Sequence, residues 1–482
     1  MLRYAVLRCP TSPLFMQSQT KTDGVRKALR WLIVLIVTLA VLAIALFATA
    51  RLRGPSKEQK AALAVLAMPQ PTPGRNAFPL VWLLPYDVPP AEYDRVVAED
   101  LRRFANASPL MRSDEATATF TSAATTRYPA PERDRSRYCH WREPGCLTKV
   151  RTEPDAYAEM LRADAALLDR ADSISDYGHF RSPFPPRLDM PFPPLNLLSP
   201  PMTRYAHAFV EGNIEAGLDG ACRGVSTGRM LIDKGENLIS AMVGAAMLQA
   251  NAELLADMLA ELPSAHPLPA SCSVALAPPR QDEFSLCNTI RGEARHMFGT
   301  LRQVVDSHAS TDNPLLDSLQ PLVYDYDKSV ARIAPSLAWF CGAQARSALA
   351  ADTPTQAPPI RPMAQSFECL DNVAGCVLTD ISAPTFDIYQ HRLQDAALRL
   401  KTTATLLWLR SHPDDQPLAE RLAQRPASLR SPRREIRIEQ DGRSVSVELF
   451  DRRRGARWTL PVPASRVPSA GSIGTDRKLV RH

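Results

Sequence analysis

The sequence contains none of the local motifs that identify the commonest enzyme reactions. It has no P-loop, no dinucleotide-binding glycine fingerprint and no HExxH zinc-protease motif. It also has neither a basic helix nor an aromatic platform of the kind that binds nucleic acid, and only 9 lysines stand beside 48 arginines. We therefore expect no nucleic-acid partner, and we expect neither a cofactor nor a bound metal.

Proline, in contrast, is abundant in a composition that is otherwise close to the globular average. The 482 residues include 43 prolines, while apolar residues make up 45% and charged residues 22%. Because proline fixes φ and removes a hydrogen-bond donor, many elements must be short. The length exceeds the size at which one core usually stops growing, so one large or two smaller folded units are expected.

One uncharged segment, residues 31–50, predicts a transmembrane helix. Twelve of its twenty residues are Leu, Ile, Val or Phe. As a helix it rises about 30 Å, the thickness of a bilayer hydrocarbon core. The twelve apolar residues favour insertion by about 4 to 7 kcal/mol. The lipid bilayer is therefore the first predicted partner of the chain.

Charge around this segment predicts its orientation. Basic residues flank it on both sides, and Arg3, Arg8 and Lys21 add to the charge before it. By the positive-inside rule this excess favours a cytoplasmic N-terminus and a periplasmic domain, in a bacterial inner membrane. A signal peptide cleaved after residues 48–50 is the competing interpretation, although the apolar run exceeds the about 7 to 15 residues of such signals. A start at Met16 rather than at the first methionine also fits the sequence.

Eight cysteines lie beyond the span, an even number that predicts disulfide bonds in an exported chain. Closing short loops would contribute about 2 to 3 kcal/mol each. Buried free thiols and a zinc site are the alternatives, although the usual zinc-ligand spacing is missing and only His140 is adjacent. Proximity in sequence predicts three pairs, Cys139 with Cys146, Cys272 with Cys287 and Cys369 with Cys376. The two cysteines that remain, Cys222 and Cys341, are then expected to form the fourth pair.

Short helices and a proline-rich strap are predicted up to residue 201. Residues 57–73 give a short helix and a linker, and residues 76–90 form an apolar run that is too short to span and packs against the domain. Residues 153–174 have helical spacing, with Pro154 in the first turn. Residues 182–201 hold eight prolines and predict an extended strap over the core, a ligand for a proline-reading domain being the alternative.

The stretch 204–263 predicts antiparallel helices with short breaks, because alanine and leucine recur every three or four residues. Within it the segment AHAFVEGNIEAGLDGACRGVSTGRML has small residues at close-packing positions and Gly212-Asn213 at a turn. This segment resembles one tetratricopeptide-type (TPR-like) helical hairpin, although the full signature of the repeat of about 34 residues is absent.

Further helices follow, and after residue 430 the spacing of apolar residues changes from helical to alternating. Apolar spacing predicts helices at 283–306, 315–351 and 384–412, with a short one at 417–424. After residue 430 apolar residues alternate on both sides of the turn pair Asp441-Gly442, which predicts an antiparallel hairpin. Residues 457–460 add a third strand.

The predicted fold class is mainly α, with a transmembrane helix, a helical-hairpin exported domain and a small antiparallel β hairpin or meander near the C-terminus. This combination resembles that of uncharacterised bacterial single-span inner-membrane proteins, and the resemblance implies neither a reaction nor a ligand. The predicted organisation is a basic cytoplasmic tail (1–30), the span (31–50), a linker (51–75), the helical exported domain (76–429) with its strap (182–201), the β element (430–461) and a disordered tail (462–482).

Residues 224–228 match the GxSxG pattern of a serine nucleophile on a strand-to-helix turn. Ser226 would be the nucleophile, with His296 or His308 and Asp306 as its nominal partners. The preceding residues favour a helix instead of a strand, so we expect a turn between two helices and no catalytic serine.

Two further patterns contain metal-binding residue types. Glu293 and His296 match one half of a di-iron motif that needs a second copy and two more glutamates, so an exposed helical pair is expected. Asp325-Tyr326-Asp327 could offer oxygen ligands to a cation, but a helix cap or a solvated loop is expected in the absence of further ligands at fixed spacing.

These observations favour binding over catalysis. Alanine-leucine hairpins build extended grooves, so we expect an exported scaffold that engages other cell-envelope proteins. An envelope enzyme that hydrolyses a cell-wall or lipid substrate is the alternative, because an active site assembled from distant residues leaves no local signature. A purely structural anchor is the third interpretation.

Overall fold

The computed structural model describes residues 17–107, 120–127, 137–308, 320–382, 386–413 and 416–463. Within these ranges the fold is mainly helical, with a small antiparallel sheet near the C-terminus, and this coarse prediction is confirmed. Residues 1–16 and 464–482, which hold most of the expected basic tail and most of the expected disordered tail, lie outside the described residues.

The described helices and strands follow one another in this order. The first nine helices are α1 (Gln17–Leu52), α2 (Lys57–Leu66), α3 (Phe78–Trp82), α4 (Tyr93–Asn106), α5 (Cys146–Thr152), α6 (Pro154–Ala163), α7 (Ala165–Asp172), α8 (Pro201–Val210) and α9 (Ile214–Lys234). The remaining elements are α10 (Leu238–Glu261), α11 (Ala270–Ala275), α12 (Cys287–His308), α13 (Tyr326–Ala338), α14 (Ala343–Ala350), α15 (Val373–Ser382), α16 (Asp387–Ser411), α17 (Leu418–Gln424), β1 (Arg437–Ile438), β2 (Ser444–Glu448) and β3 (Arg457–Pro461).

The long N-terminal helix α1 is a candidate membrane span, since its apolar window has a mean hydropathy of 3.0 and none of that window is buried. α10 is the other described helix that is long and apolar enough to cross a bilayer, but 61% of its window is buried inside the molecule. α10 therefore serves as a core helix.

The C-terminal end of α1 is docked on the helical domain by charged side chains. The Lys328 ammonium donates to the carbonyl oxygen of Ala50 at 2.7 Å and pairs with the fully buried carboxylate of Asp371. A guanidinium nitrogen of Arg51 lies 3.4 Å from Asp325 and 3.6 Å from Asp371. We call Arg51, Asp325, Lys328 and Asp371 the junction cluster. A cation at the C-terminal end of a helix complements its dipole, so the cluster fixes where α1 leaves the domain.

The expected linker at 51–75 contains a packed helix. A capping box between Ser56 and Gln59 begins α2, which packs against α13 and buries Ala62 and Leu66. This part of the chain belongs to the folded domain, because its apolar face is covered.

α9 and α10 form an antiparallel hairpin at the centre of the fold. A Cβ on Gly244 would lie 2.6 Å from the carbonyl oxygen of Gly228, and a Cβ on Gly228 would lie 2.7 Å from the carbonyl oxygen of Gly244. The two backbones can approach this closely only because both residues lack a side chain. The hairpin agrees with the expected antiparallel helices, whereas its tetratricopeptide character stays a prediction.

The strap closes a second, aromatic core beside this hairpin. Phe184 of the strap lies in edge-to-face contact with Trp82, Phe104 and Phe120, at ring-centroid distances of 5.3, 5.3 and 5.9 Å. Trp82 also donates from its indole nitrogen to buried Asp100 at 2.8 Å. The apolar run at 76–90 thus lies inside the domain, beneath the strap.

A buried arginine links the three-stranded β1-β2-β3 meander to the helices. Arg434 pairs with Asp395 of α16 and, at 2.7 Å, with Asp352. Asp395 also accepts hydrogen bonds from the backbone nitrogens of Phe450 and Asp451, at 2.9 and 3.0 Å. Removing one partner of such a buried pair usually costs about 3 to 5 kcal/mol, so the network fixes the sheet against α16.

Four disulfides join the eight cysteines that follow α1, and two of them differ from the expected pairs. Cys139 is bonded to Cys146 and Cys369 to Cys376, in agreement with their spacing. The pairings of Cys272 with Cys287 and of Cys222 with Cys341 were wrong, because the structure joins Cys222 to Cys272 and Cys287 to Cys341. Closing a loop of about 50 rather than 15 residues costs only about 1 kcal/mol more, so helix packing decides the partner.

We predict that Gly244→Ala destabilises the protein by about 1 to 3 kcal/mol, because the new methyl group would overlap the backbone of α9. Chemical unfolding of the detergent-solubilised full chain, followed by circular dichroism, measures the change. Gly54→Ala is the matched control, since a Cβ there meets no atom within 4 Å. Equal unfolding midpoints for the two variants would contradict the close crossing.

Candidate functional site

Ser226 lies in the middle of α9, on an uninterrupted helix from Ile214 to Lys234. The expected turn between two helices was therefore wrong. The glycines of the GxSxG pattern serve helix packing: a Cβ on Gly224 would lie 2.4 Å from the side chain of Asn251, and Gly228 faces α10. The side chains of Asp306 and His308 lie outside the described residues, so they give Ser226 no described partner.

Glu293 has a structural role that the sequence did not indicate. Its carboxylate accepts the backbone N–H of Leu238 at 2.6 Å and so caps the first turn of α10. Burial raises its pKa above the ordinary value. The expected exposed Glu-His pair is thus half-buried, and among the described residues no group of three or more His, Cys, Asp or Glu side chains is placed to hold a metal.

Asp325 caps a helix, as its position suggested. Its side chain accepts the backbone N–H of Lys328 at 3.1 Å and begins α13, while it also belongs to the junction cluster. Its oxygens are therefore committed to the fold rather than to a cation.

A groove of about 650 Å³ lies between α10 and α16. Its floor is the exposed side of α10, where Ile239, Met242, Val243 and Ala246 recur at helical spacing. We call this depression the groove; its other lining residues are His140, Trp141, Arg142, Glu143, Asn196, Ser199, Leu238, Ala245, Gln249, Tyr389, Arg392, Asp395, Arg399 and Asp451.

One wall of the groove is a loop closed by the Cys139–Cys146 disulfide. The backbone nitrogen of Cys139 donates to the hydroxyl of Thr203 at 2.8 Å, which ties the loop to α8. Trp141 projects from this loop into the lining, and its indole N–H is buried without a hydrogen-bond partner among the described residues. The wall is therefore stiff and carries one unsatisfied donor.

The opposite wall presents three charged side chains of α16, two of which are already neutralised. Arg392 lies 2.7 Å from Asp451, and hydrogen bonds from Arg453 and Arg392 overcome the effect of burial and hold the pKa of Asp451 well below its ordinary value. Asp395 is paired with Arg434. These charges are occupied by contacts within the chain.

Arg399 is the exception. It makes no ion pair within the described ranges, and its Nε is buried without a hydrogen-bond partner. Its guanidinium lies 5.7 Å from the ring centre of Trp458, and burial lowers its pKa. A buried N–H without a partner costs about 1 to 3 kcal/mol, so Arg399 and Trp141 together favour an occupant that accepts hydrogen bonds.

A second cleft of about 490 Å³, lined mainly by polar side chains, lies beside the Cys287–Cys341 disulfide. Two of its carboxylates are paired with arginines, since Glu283 accepts two hydrogen bonds from Arg229 and Asp233 pairs with Arg280. Its lining residues Arg291 and Arg346 donate to backbone carbonyl oxygens. The groove is the better candidate site, because it combines an apolar floor with unsatisfied donors.

The two arginines of α16 that line the groove, Arg392 and Arg399, were not predicted as site residues. Arg392, Asp395 and Arg399 recur at intervals of three and four, which places them on one face of α16, but only the apolar face of that helix was read from the pattern. Trp141 lies between Cys139 and Cys146, and the cysteine spacing predicts a disulfide loop without indicating a role for this side chain. The spacing of these charged residues could have indicated a polar face on α16. Only the tertiary structure shows that this face lies opposite the disulfide-closed loop.

No protein-family model matches the chain, and neither a curated protein nor a solved structure matches it. The function of the groove therefore has to be inferred from its own geometry.

Beyond the groove, α10 carries an acidic stripe that makes stability depend on pH. Burial, followed by the charges of Glu253 and Glu261, raises the pKa of Asp257 from 3.8 to about 6. Because the folded carboxyl binds its proton more tightly than the unfolded one, its contribution to the free energy of unfolding is complete below about pH 4. That contribution is lost as the pH rises through about 6.

We predict that Asp257→Asn raises the free energy of unfolding at pH 8 by about 1 kcal/mol, a value reduced for solvent screening at this half-exposed position. At pH 3 the gain should vanish, because the carboxyl is then almost entirely protonated in both the folded and the unfolded chain and is neutral like the amide. Urea unfolding at the two pH values measures the difference. A gain of the same size at both pH values would contradict the raised pKa.

Proposed function

We propose that this protein is a bacterial inner-membrane protein anchored by the apolar part of α1, whose periplasmic helical domain is a scaffold that binds a segment of another envelope protein in the groove. The observation that carries the proposal is the pairing of an apolar floor with two buried, unpartnered donors, on Trp141 and Arg399.

The chemistry of the groove restricts its occupant. Ile239 and Met242 offer an aliphatic surface, so the occupant needs apolar side chains to cover it. Arg399 lacks an ion pair among the described residues, so a carboxylate on the occupant would supply both a charge and hydrogen-bond acceptors. A peptide segment with aliphatic residues and an acidic side chain or a C-terminal carboxylate meets both requirements.

The size and construction of the groove support a binding function. A volume of about 650 Å³ accommodates several side chains, and both walls are held by covalent or ionic links, the Cys139–Cys146 bridge and the Arg392–Asp451 pair. A stiff site loses less conformational entropy when it binds a partner.

We predict that a photo-crosslinking amino acid at Ile239 of the full chain in living cells forms an adduct with one partner protein, and that Arg399→Met abolishes this adduct. Removing a buried, unpaired cation should leave the thermal unfolding midpoint unchanged or raised, since no ion pair is broken. Loss of the adduct together with a maintained midpoint therefore identifies a binding role.

Two controls sharpen this experiment. The same amino acid at Val274, an exposed apolar position on α11 outside the groove, should give no such adduct. Arg399→Lys, which keeps the charge, should retain part of the yield. Mapping the crosslinked peptide should reveal an acidic residue or a C-terminus, and a captured segment without a carboxylate would refute the proposed chemistry.

The proposed topology generates a separate prediction. A reporter enzyme that is active only outside the cytoplasm, fused after His482, should be active, because α1 would place the domain in the periplasm. A matched fusion of a reporter that is active only in the cytoplasm should be silent at the same position. Activity of the second fusion alone would overturn the orientation.

A further inference from the structure

Exposed aliphatic side chains of the domain are concentrated near the end of α1. Outside α1, twelve large hydrophobic residues are exposed among the described residues. Half of them belong to two short segments, and we call these six residues the aliphatic patch. The patch consists of Leu322, Val323, Leu370, Val373, Val377 and Ile381.

Four members of the patch form a stripe along α15. Leu370 precedes the helix by three residues, and Val373, Val377 and Ile381 follow at helical spacing, so all four share one face. The opposite face is packed on α13: Cys376 and Thr379 are fully buried, and a Cβ on Gly375 would lie 2.0 Å from the hydroxyl of Ser329. α15 is thus amphipathic, and its apolar side is turned outward.

Both segments of the patch are continuous with the junction cluster. Leu370 is the neighbour of Asp371, and Val323 lies two residues before Asp325. The 3-10 turn Phe367–Cys369 contacts α1, and the guanidinium of Arg53 lies 5.8 Å from the ring centre of Phe367. The patch therefore adjoins the point where the apolar helix ends.

We infer that the aliphatic patch is a second membrane-contact site, which lies in the headgroup and acyl boundary of the same bilayer that holds α1. The inference rests on the proposed span, because a bilayer around residues 31–50 would end beside the junction cluster. An amphipathic helix lying in the membrane interface buries its apolar face at this depth. Exposed Lys57 and Lys60 follow the span and would attract anionic headgroups.

This contact would fix the orientation of the domain. A domain held by one helix alone is free to tilt relative to the bilayer. Here α1 and the aliphatic patch would both contact the bilayer, and the buried Lys328–Asp371 pair holds them together, so the domain could no longer tilt freely. The scaffold would then present its groove at a constant direction relative to the membrane.

The experiment uses the full chain in nanodiscs of phosphatidylethanolamine and phosphatidylglycerol, with a diazirine amino acid placed at Val377 or Ile381. Mass spectrometry should find phospholipid adducts at both positions, at a yield several-fold above that at Val274, the exposed control on α11. Val377→Asp should remove the lipid adduct at Ile381 while the Cys369–Cys376 disulfide and the unfolding midpoint are retained.

A diazirine at Leu39 within α1 separates the two proposals. Lipid adducts at Leu39, with a yield at Val377 no higher than at Val274, would overturn the second contact and leave the span intact. Absence of lipid adducts at Leu39 would overturn the span and this inference together. Adducts at Val377 between two copies of the chain would also overturn it, because the patch would then be a protein interface.

Discussion

The close crossing of α9 and α10 is the contact on which the rest of the fold depends. Gly228 and Gly244 allow the two backbones to meet without side chains between them, and α10 becomes buried along most of its length. From that central position α10 contacts α16, β3, α12 and α5. The Cys222–Cys272 disulfide closes the outer side of the hairpin by joining α9 to α11.

The groove is a consequence of this arrangement. Because α10 is central, only one side of it reaches solvent, and that side lies between α16 and the disulfide-closed loop that carries Trp141. The Arg434 network then fixes the sheet against α16, which places Asp451 beside Arg392. Arg399 has no ion pair among the described residues: Asp395 and Asp451 are paired with other arginines, and Glu253 accepts a hydrogen bond from Trp458.

A second constraint on the fold lies at the C-terminal end of α1. The ammonium of Lys328 stabilises the last turn of an otherwise exposed helix, and its charge is balanced by a carboxylate that is fully buried. Such a buried pair is costly to separate, so the direction in which α1 leaves the domain is a property of the fold rather than of a flexible linker.

The sequence by itself determined the features that depend on short-range patterns. Apolar periodicity was enough to locate helical segments, although the segments 153–174 and 315–351 are each divided between two helices. The turn pair Asp441-Gly442 and the strand pattern at 457–460 were enough for the meander, because such signals are carried by neighbouring residues. The two short disulfide loops were found for the same reason. Tertiary structure alone decided the partners of Cys222 and Cys287, the use of Gly224 and Gly228 as packing contacts, and the meeting of Trp141 with Arg399. Each of these joins residues that are distant in sequence, and the packing of whole helices, which no local pattern encodes, brings them together.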